Sequence, residues 1–256
     1  MFSTTEITSG EKISDNPVHQ RLVCAYVEAS KIISGNLLEV GCGFGRGLDL
    51  LVANSSTYTA IDKNKKLIDQ LSQQYPSLTF IEQHIPPFKG IADNNFDFVV
   101  SFQVIEHIVD DQSFVKEIHR VLKPGGSAII TTPNIKLSLT RNPWHVREYT
   151  AEDLKKLLGK YFPEVQTQGI HGNEKVMQYY AENKAAVQKI TRFDIFNLQY
   201  RLPRQLLQVP YDLLNRLNRK NLHKQNTGLV AEIDYTDYFL SEKPEESLDL
   251  FYRVRK

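Results

Sequence analysis

Apolar residues recur at three- and four-residue spacing from Pro17 to Ile33 (Val18, Leu22, Val23, Tyr26, Val27, Ile32 and Ile33). This predicts a helix ended by Ser34-Gly35-Asn36. Leu37 to Val40 reads as a short buried strand. It runs into Gly41-Cys42-Gly43-Phe44-Gly45-Arg46-Gly47, after which Leu48, Leu50 and Leu51 mark an apolar helix. A second strand, Tyr58 to Ile61, ends at Asp62. A helix over Lys65 to Gln74 stops before Tyr75-Pro76, and a third strand covers Leu78 to Glu82. Phe96 to Ser101 has the largely apolar run expected of a strand covered on both faces. Asp110 or Asp111 can cap the next helix, which buries Phe114, Val115, Ile118, Val121 and Leu122. Lys123-Pro124-Gly125-Gly126 is a turn into a strand over Ser127 to Thr132.

Strands alternating with helices of this length imply βαβ units and a parallel sheet, with ligands bound along the edge formed by the strand C-termini. Downstream the regularity changes. Thr150 caps a helix with Leu154, Leu157 and Leu158, and Pro163 to Gly169 reads as a strand. Val176 to Lys224 is helical, with breaks expected at Pro203 and Pro210. Ser247 to Val254 alternates Leu248, Leu250, Tyr252 and Val254 as a closing strand. The pattern predicts one domain over 1–256. It has a core over about 16–170, a helical insertion or lid over about 176–224, and the closing strand over about 247–255.

Composition changes little in this picture. The apolar fraction of 41% and charged fraction of 24% are those of an ordinary soluble protein, and a net charge of +1 disfavours a general nucleic-acid binder. Cys24 and Cys42 lie in different elements and form no disulfide framework. No signal-like or membrane-spanning apolar run stands out, so a cytoplasmic address is expected.

The chemistry begins at the glycine turn, where backbone N–H groups and bare Cα atoms can face a ligand. Its glycines follow G-x-G-x-G, with Arg46 at the position where a dinucleotide fingerprint G-x-G-x-x-G has its last glycine. Glu39 precedes the first glycine by two positions. A carboxylate there disfavours a pyrophosphate and suits a ligand bearing an ammonium and a sulfonium. Asp62, twenty-one residues after Gly41, ends the second strand where a carboxylate can accept both ribose hydroxyl protons. Each feature alone is equally a plain turn or a helix cap. Their register together points to S-adenosylmethionine rather than NAD.

With these motifs in place, the chain resembles the class I S-adenosylmethionine-dependent methyltransferases. The match rests on Leu38-Glu39-Val40-Gly41-Cys42-Gly43-Phe44-Gly45, Ala60-Ile61-Asp62, Phe96 to Ser101, and Val104-Ile105-Glu106-His107 leading to Leu122-Lys123-Pro124-Gly125-Gly126. The resemblance implies a Rossmann-like α/β three-layer sandwich, with a mostly parallel seven-stranded sheet and an antiparallel last strand. It implies that Gly41, Cys42, Gly43 and Gly45 pass under the cofactor, Glu39 lies near its amino group, and Asp62 with Lys63 holds the ribose. His84 and Ile85 would flank adenine, His84 departing from the acidic residue often found there. Phe102, Gln103 and His107 would sit beside the cofactor after the fourth strand. Within the class, the N-terminal half is similar to the ubiquinone-biosynthesis O-methyltransferases, which implies that Arg21 pairs with the cofactor carboxylate. That subfamily binds a divalent cation through Glu-x-x-Glu-His. Here the segment is Gln103-Val104-Ile105-Glu106-His107, one carboxylate short, so no metal is expected.

On the acceptor side, Asn142 to Tyr149 resembles methyltransferases found with glycan-assembly enzymes. It offers His145 and Glu148 as candidates for a general base, with His107 and His171 behind them. The expected acceptor is a small molecule, a glycan or a lipid-linked compound. Residues 192–224 carry seven Lys/Arg and two Asp among regularly spaced apolar residues. The pattern predicts an apolar face packed on the domain and a solvated basic face. A lid touching anionic lipid is the alternative. An NAD-linked oxidoreductase and a cofactor-binding but inactive scaffold are the competing functions.

Overall fold

The computed structural model describes residues 12–194, 196–225 and 227–256. The elements run α1 (Asn16–Ser30), β1 (Asn36–Val40), α2 (Leu48–Ala53), β2 (Thr57–Asp62), α3 (Lys65–Gln74) and β3 (Thr79–Glu82). They continue with β4 (Phe96–Phe102), α4 (Asp111–Val121), β5 (Leu122–Pro133), α5 (Ala151–Leu158) and β6 (Glu164–Gly172). The last third holds α6 (Glu174–Thr191), α7 (Leu198–Arg201), α8 (Arg204–Gln225), α9 (Thr227–Glu232), β7 (Tyr238–Ser241) and β8 (Asp249–Arg255).

Among the described residues one eight-stranded sheet has the order β3-β2-β1-β4-β5-β8-β6-β7. The pairs among β1 to β5 are parallel. β8 lies antiparallel between β5 and β6, and β7 lies antiparallel on the outer side of β6. Successive strand residues serve opposite faces, as a pleated strand requires. Leu37, Val100, Ile129 and Phe251 join Cys24, Tyr26 and Leu51 on one face. Leu38, Val99, Ile130 and Leu250 join Phe114, Ile118 and Leu154 on the other. The sheet is therefore the middle of three layers. The winding reverses between β1 and β4, so the crevice of a doubly wound sheet opens at their C-terminal ends.

The local signals account for the element ends. Asp110 caps α4 by accepting from Ser113 N, and Thr150 and Asp153 form a reciprocal capping box on α5. Three features depart from the pattern reading. The sheet carries an eighth strand, β7, whose four residues are too few to show a period. Pro210 does not break the helix but lies within α8. Proline there removes one N–H rung, on a side where the unpaired carbonyl of Leu206 can meet water.

The third departure concerns the lid. The apolar stripe of α8 does not pack on the domain. Leu206, Val209, Leu213 and Leu217 are exposed, while Tyr211, Asn215, Asn218 and Arg219 on the opposite side face the interior cleft. Polar groups hold this inverted helix. Asp15 is buried and pairs with Arg216 at 3.2 Å and Arg219 at 2.9 Å. Asn218 Nδ2 donates to Asn183 Oδ1 of α6 at 2.8 Å, and Trp144 Nε1 donates to Asp212 at 3.0 Å.

Candidate functional site

A cleft of about 660 Å³ opens at the carboxyl edge of the sheet, between the turn after β1, the segments after β2 to β5, and the inner faces of α6 and α8. Of the residues singled out from sequence, Arg21, Gly41, Cys42, Gly43, Asp62, Lys63, His84, Ile85, Phe102, Gln103, His107, His145 and Glu148 line it. Glu39 and Gly45 do not. His171 sits on β6 against the Phe239 ring, also outside the lining.

The glycine turn shows why two of its glycines face the cleft and the third does not. Gly43 has φ +54° and nothing within 4 Å of where a side chain would begin, so this stretch of backbone is bare floor. Gly45 has φ +78°, and a side chain there would begin 2.9 Å from Leu71, so its role is the tight approach of the turn to α3. Asp62 closes the turn. One carboxylate oxygen accepts from Gly43 N and the other from Asn64 N, both at 2.8 Å. Each oxygen keeps a further lone pair for a ligand hydroxyl.

Glu39 lies outside the lining. It is 1% exposed, beneath the glycine turn, and its two carboxylate oxygens accept from the phenols of Tyr26 (2.8 Å) and Tyr58. Burial pushes its pKa up, against the lowering effect of the two phenols. Burial likewise raises both tyrosines and the Cys42 thiol well above their ordinary values. Glu39 thus fixes the turn through Tyr26, whose ring meets Phe102 edge-on at 4.6 Å. It does not contact the cleft.

Arg21 has a partner that sequence spacing could not show. Its Nε lies 3.0 Å from Oδ2 of Asp249, a fully buried carboxylate at the start of β8. Burial raises the Asp249 pKa, and Arg21 is the largest opposing influence. The guanidinium therefore neutralises Asp249 on one side while Arg21 lines the cleft on the other. Gln103, at φ 57°, turns the chain out of β4, and its amide nitrogen donates to Thr131 O at 3.0 Å.

At the far end of the cleft the loop between β5 and α5 brings together His145, Glu148 and Ser138. His145 Nδ1 is 2.7 Å from Glu148 Oε1, and Ser138 Oγ donates to the other oxygen of the same carboxylate. Asn142 Nδ2 donates to His145 Nε2 at 2.8 Å, which makes Nε2 the acceptor and Nδ1 the protonated nitrogen. The loop is clasped on three sides. Buried Asn134 donates to the carbonyls of Pro244, Glu245 and Ser247, Val146 N donates to Glu106 O at 2.7 Å, and Arg204 donates to His145 O at 3.1 Å.

Glu106 and His107 complete this end. Glu106 is 1% exposed and accepts from Thr132 Oγ1 at 3.0 Å. Burial carries its pKa up to about 7 despite the favourable charge of His145. His107 Nδ1 donates to Trp144 O at 3.0 Å, and its ring stands perpendicular to His145 with centroids 5.0 Å apart. Glu106, His107 and His145 offer one ligand atom each within 4.8 Å of one another. His145 thus stands beside Glu106 and His107, an association visible only in three dimensions. As arranged, both ring nitrogens of His145 are engaged by Glu148 and Asn142, so a cation would have to displace Asn142.

Sequence reasoning missed the roof of the cleft: Tyr179, Tyr180, Asn183 and Val187 of α6, and Tyr211, Asn215, Asn218 and Arg219 of α8. The signal was there as polar residues at helical spacing (211, 215, 218) facing away from the leucines.

Comparison with known proteins agrees with the geometry. Residues 38–130 match the family model described as a methyltransferase domain. A probable S-adenosylmethionine-dependent methyltransferase of Mycobacterium tuberculosis is 35% identical over 146 residues, covering 55% of this chain and 51% of the relative. The mitochondrial ubiquinone biosynthesis O-methyltransferase of Dictyostelium discoideum is 33% identical over 138 residues, covering 48% and 40%. The chain thus spans about half the length of the curated relatives it matches, or less. A SAM-dependent methyltransferase from Thermotoga maritima shares the fold over 93% of this chain and 91% of its own, with TM-score 0.57 at 15% identity. The likeness to a methyltransferase domain thus spans residues 38–130, and the shared fold extends over nearly the whole chain.

Proposed function

We propose that this chain transfers the methyl group of S-adenosylmethionine to an acceptor hydroxyl bound beneath α6 and α8, with His145 taking the acceptor proton. The observation that carries the reading is the His145–Glu148 contact of 2.7 Å in the same cleft that is floored by Gly43 and edged by Asp62.

The residues fit the cofactor. The bare backbone at Gly43 leaves room above the turn, Asp62 has lone pairs for the ribose hydroxyls, and Arg21 offers a guanidinium to a carboxylate. His84 and Ile85 would flank the adenine. When bound, the sulfonium supplies a methyl carbon already activated for displacement. The protein's own work is alignment, exclusion of water and removal of one proton. Glu148 accepts the Nδ1–H of His145 and so holds the ring in the tautomer whose Nε2 carries a lone pair. An acceptor hydroxyl that replaced Asn142 at Nε2 would meet a base there. The resulting imidazolium would be stabilised by Glu148 on one side and by Glu106 close by.

The roof is rich in tyrosine and asparagine, which suits an acceptor with several hydrogen-bonding groups, such as a small phenolic or glycan-like molecule or the headgroup of a lipid-linked one. Cys24 and Cys42 are buried and free, which supports a reducing, cytoplasmic setting.

Titration calorimetry with S-adenosylmethionine, S-adenosylhomocysteine and NAD tests the cofactor, and NAD binding in place of the other two would overturn the assignment. Release of S-adenosylhomocysteine with candidate acceptors tests the transfer. His145→Ala should lower turnover by about 10²–10⁴-fold while leaving cofactor affinity unchanged. Full turnover in that variant would remove His145 as the base.

A further inference from the structure

The lid is built inside out. On α8, Leu206, Val209, Leu213 and Leu217 follow one another at three- and four-residue spacing along a single face, and that face points away from the protein. Val209 is 76% exposed and Leu206 64%. Phe193 and Phe196, just before α7, are 72% and 69% exposed. In a water-facing helix these positions would be polar. Here the polar residues occupy the opposite face, where Asn215, Asn218 and Arg219 serve the cleft. A patch of this extent on one side of a soluble chain marks a surface that something covers.

The charges around it say what. Between residues 189 and 224 there are eight Lys/Arg and only two acids, Asp194 and Asp212. Both acids are half-buried and already engaged: Asp194 accepts from the backbone of Leu198 and Gln199, and Asp212 accepts from Trp144. Three of the cations are likewise committed, Arg216 and Arg219 to Asp15 and Arg204 to the His145 carbonyl. The remaining five, Lys189, Arg192, Arg201, Lys220 and Lys224, are exposed. Lys220 and Lys224 continue the apolar stripe of α8 at the same spacing. Arg192 lies over the Phe193 ring at 4.8 Å. No helix among the described residues is long and apolar enough to cross a membrane.

We propose that the outer face of α8, with Phe193 and Phe196, seats the protein on an anionic phospholipid bilayer. The leucines, valine and phenylalanines enter the headgroup–acyl boundary and the five cations rest among the phosphates. A second copy of this chain fits less well, because apposing two such faces would bring like charges together. The inference rests on the lid's orientation and not on the identity of the reaction, so it stands or falls separately from methyl transfer. Its consequence is positional: the helix that lies on the bilayer is also the roof of the cleft.

Flotation of the full chain with vesicles tests it. Vesicles of equal phosphatidylglycerol and phosphatidylcholine should carry the protein to the top of the gradient, and pure phosphatidylcholine should not. Val209→Glu combined with Leu213→Glu should abolish flotation while circular dichroism stays that of the parent, since both side chains are already in water. Lys220→Glu with Lys224→Glu should lower partitioning on the order of thirtyfold or more, and raising salt on the parent protein should release it. Failure of the parent to float with anionic vesicles, or equal flotation with both compositions, would overturn the proposal. So would light scattering that shows a dimer which Val209→Glu and Leu213→Glu dissociate, since the patch would then be covered by a second copy.

Discussion

Replacing Glu106 with Gln keeps the shape of the side chain and an oxygen for Thr132, and removes its titration. In the folded chain burial holds the carboxyl at about 7 against an ordinary 4.5. In the window between these values the folded state retains a proton that the unfolded chain has released. The free energy of unfolding therefore falls as pH rises. The favourable contribution is complete below the unfolded value and is lost once pH passes the folded one. At about 1.4 kcal/mol per pH unit, the full difference is about 3 kcal/mol, of which about 2.5 kcal/mol falls between pH 5 and pH 8. Glu106→Gln should accordingly gain about 2.5 kcal/mol relative to the parent on going from pH 5 to pH 8. Urea unfolding of both proteins at the two pH values, followed by circular dichroism, measures this directly. A stability difference between variant and parent that is the same at both pH values would refute the reasoning, because Glu106 would then ionise as it does in water.

Three further outcomes follow from the same geometry. Arg21→Ala strands a fully buried Asp249 and should cost about 3–5 kcal/mol in chemical denaturation, most of it recovered by adding Asp249→Asn; a loss that the second change leaves untouched would contradict the pairing. Gly47→Ala would place a methyl 1.9 Å from the Tyr26 ring and push that phenol off Glu39. It should destabilise the chain by about 1–3 kcal/mol or more and weaken cofactor affinity in calorimetry, whereas parent-like values would show that the turn does not depend on Tyr26. Because both nitrogens of His145 are engaged by side chains, exhaustive chelation should leave turnover unchanged; activity lost to a chelator and restored by one divalent ion would assign Glu106, His107 and His145 as its ligands.

The parts of this molecule readable from sequence are those in which local pattern and burial agree. β1, the glycine turn and Asp62 are contiguous in chain or separated by one helix, and their periodicity is set by a sheet buried on both faces. The pairings at the acceptor end are of another kind. Arg21 meets Asp249 from the opposite end of the chain, and His145 reaches Glu106 because buried Asn134 folds the intervening loop back on the carbonyls of Pro244 and Ser247. No spacing rule encodes such contacts. The lid was misread for a different reason. Its period was legible, but assigning the apolar side inward is only a tendency of soluble helices. The alternating Tyr211, Asn215 and Asn218 carried the contrary signal.

The charge argument that led from sequence to cofactor also changes in form. A carboxylate two residues before the glycine turn suggested a pocket lined with anions, yet Glu39 lies beneath the floor with both oxygens occupied. The cleft wall itself carries Arg21, Arg46, Lys63 and Arg219 beside Asp62, Glu106 and Glu148. Net charge therefore cannot be what selects a sulfonium compound over a dinucleotide. Placement can. Asp62 stands at the end of β2, and on the proposed reading would accept from ribose hydroxyls. Arg21 also lines the cleft, held by Asp249, and on the proposed reading would meet an amino-acid carboxylate. Between them the floor is glycine backbone with no side chain to exclude a close-lying ligand. A pyrophosphate would seek the start of α2, where Gly47 is packed against Tyr26 and Arg46 is drawn aside onto His19 and the Phe44 ring. On the proposed reading, discrimination would come from where two opposite charges are fixed, with Glu39 as the buried post beneath the turn.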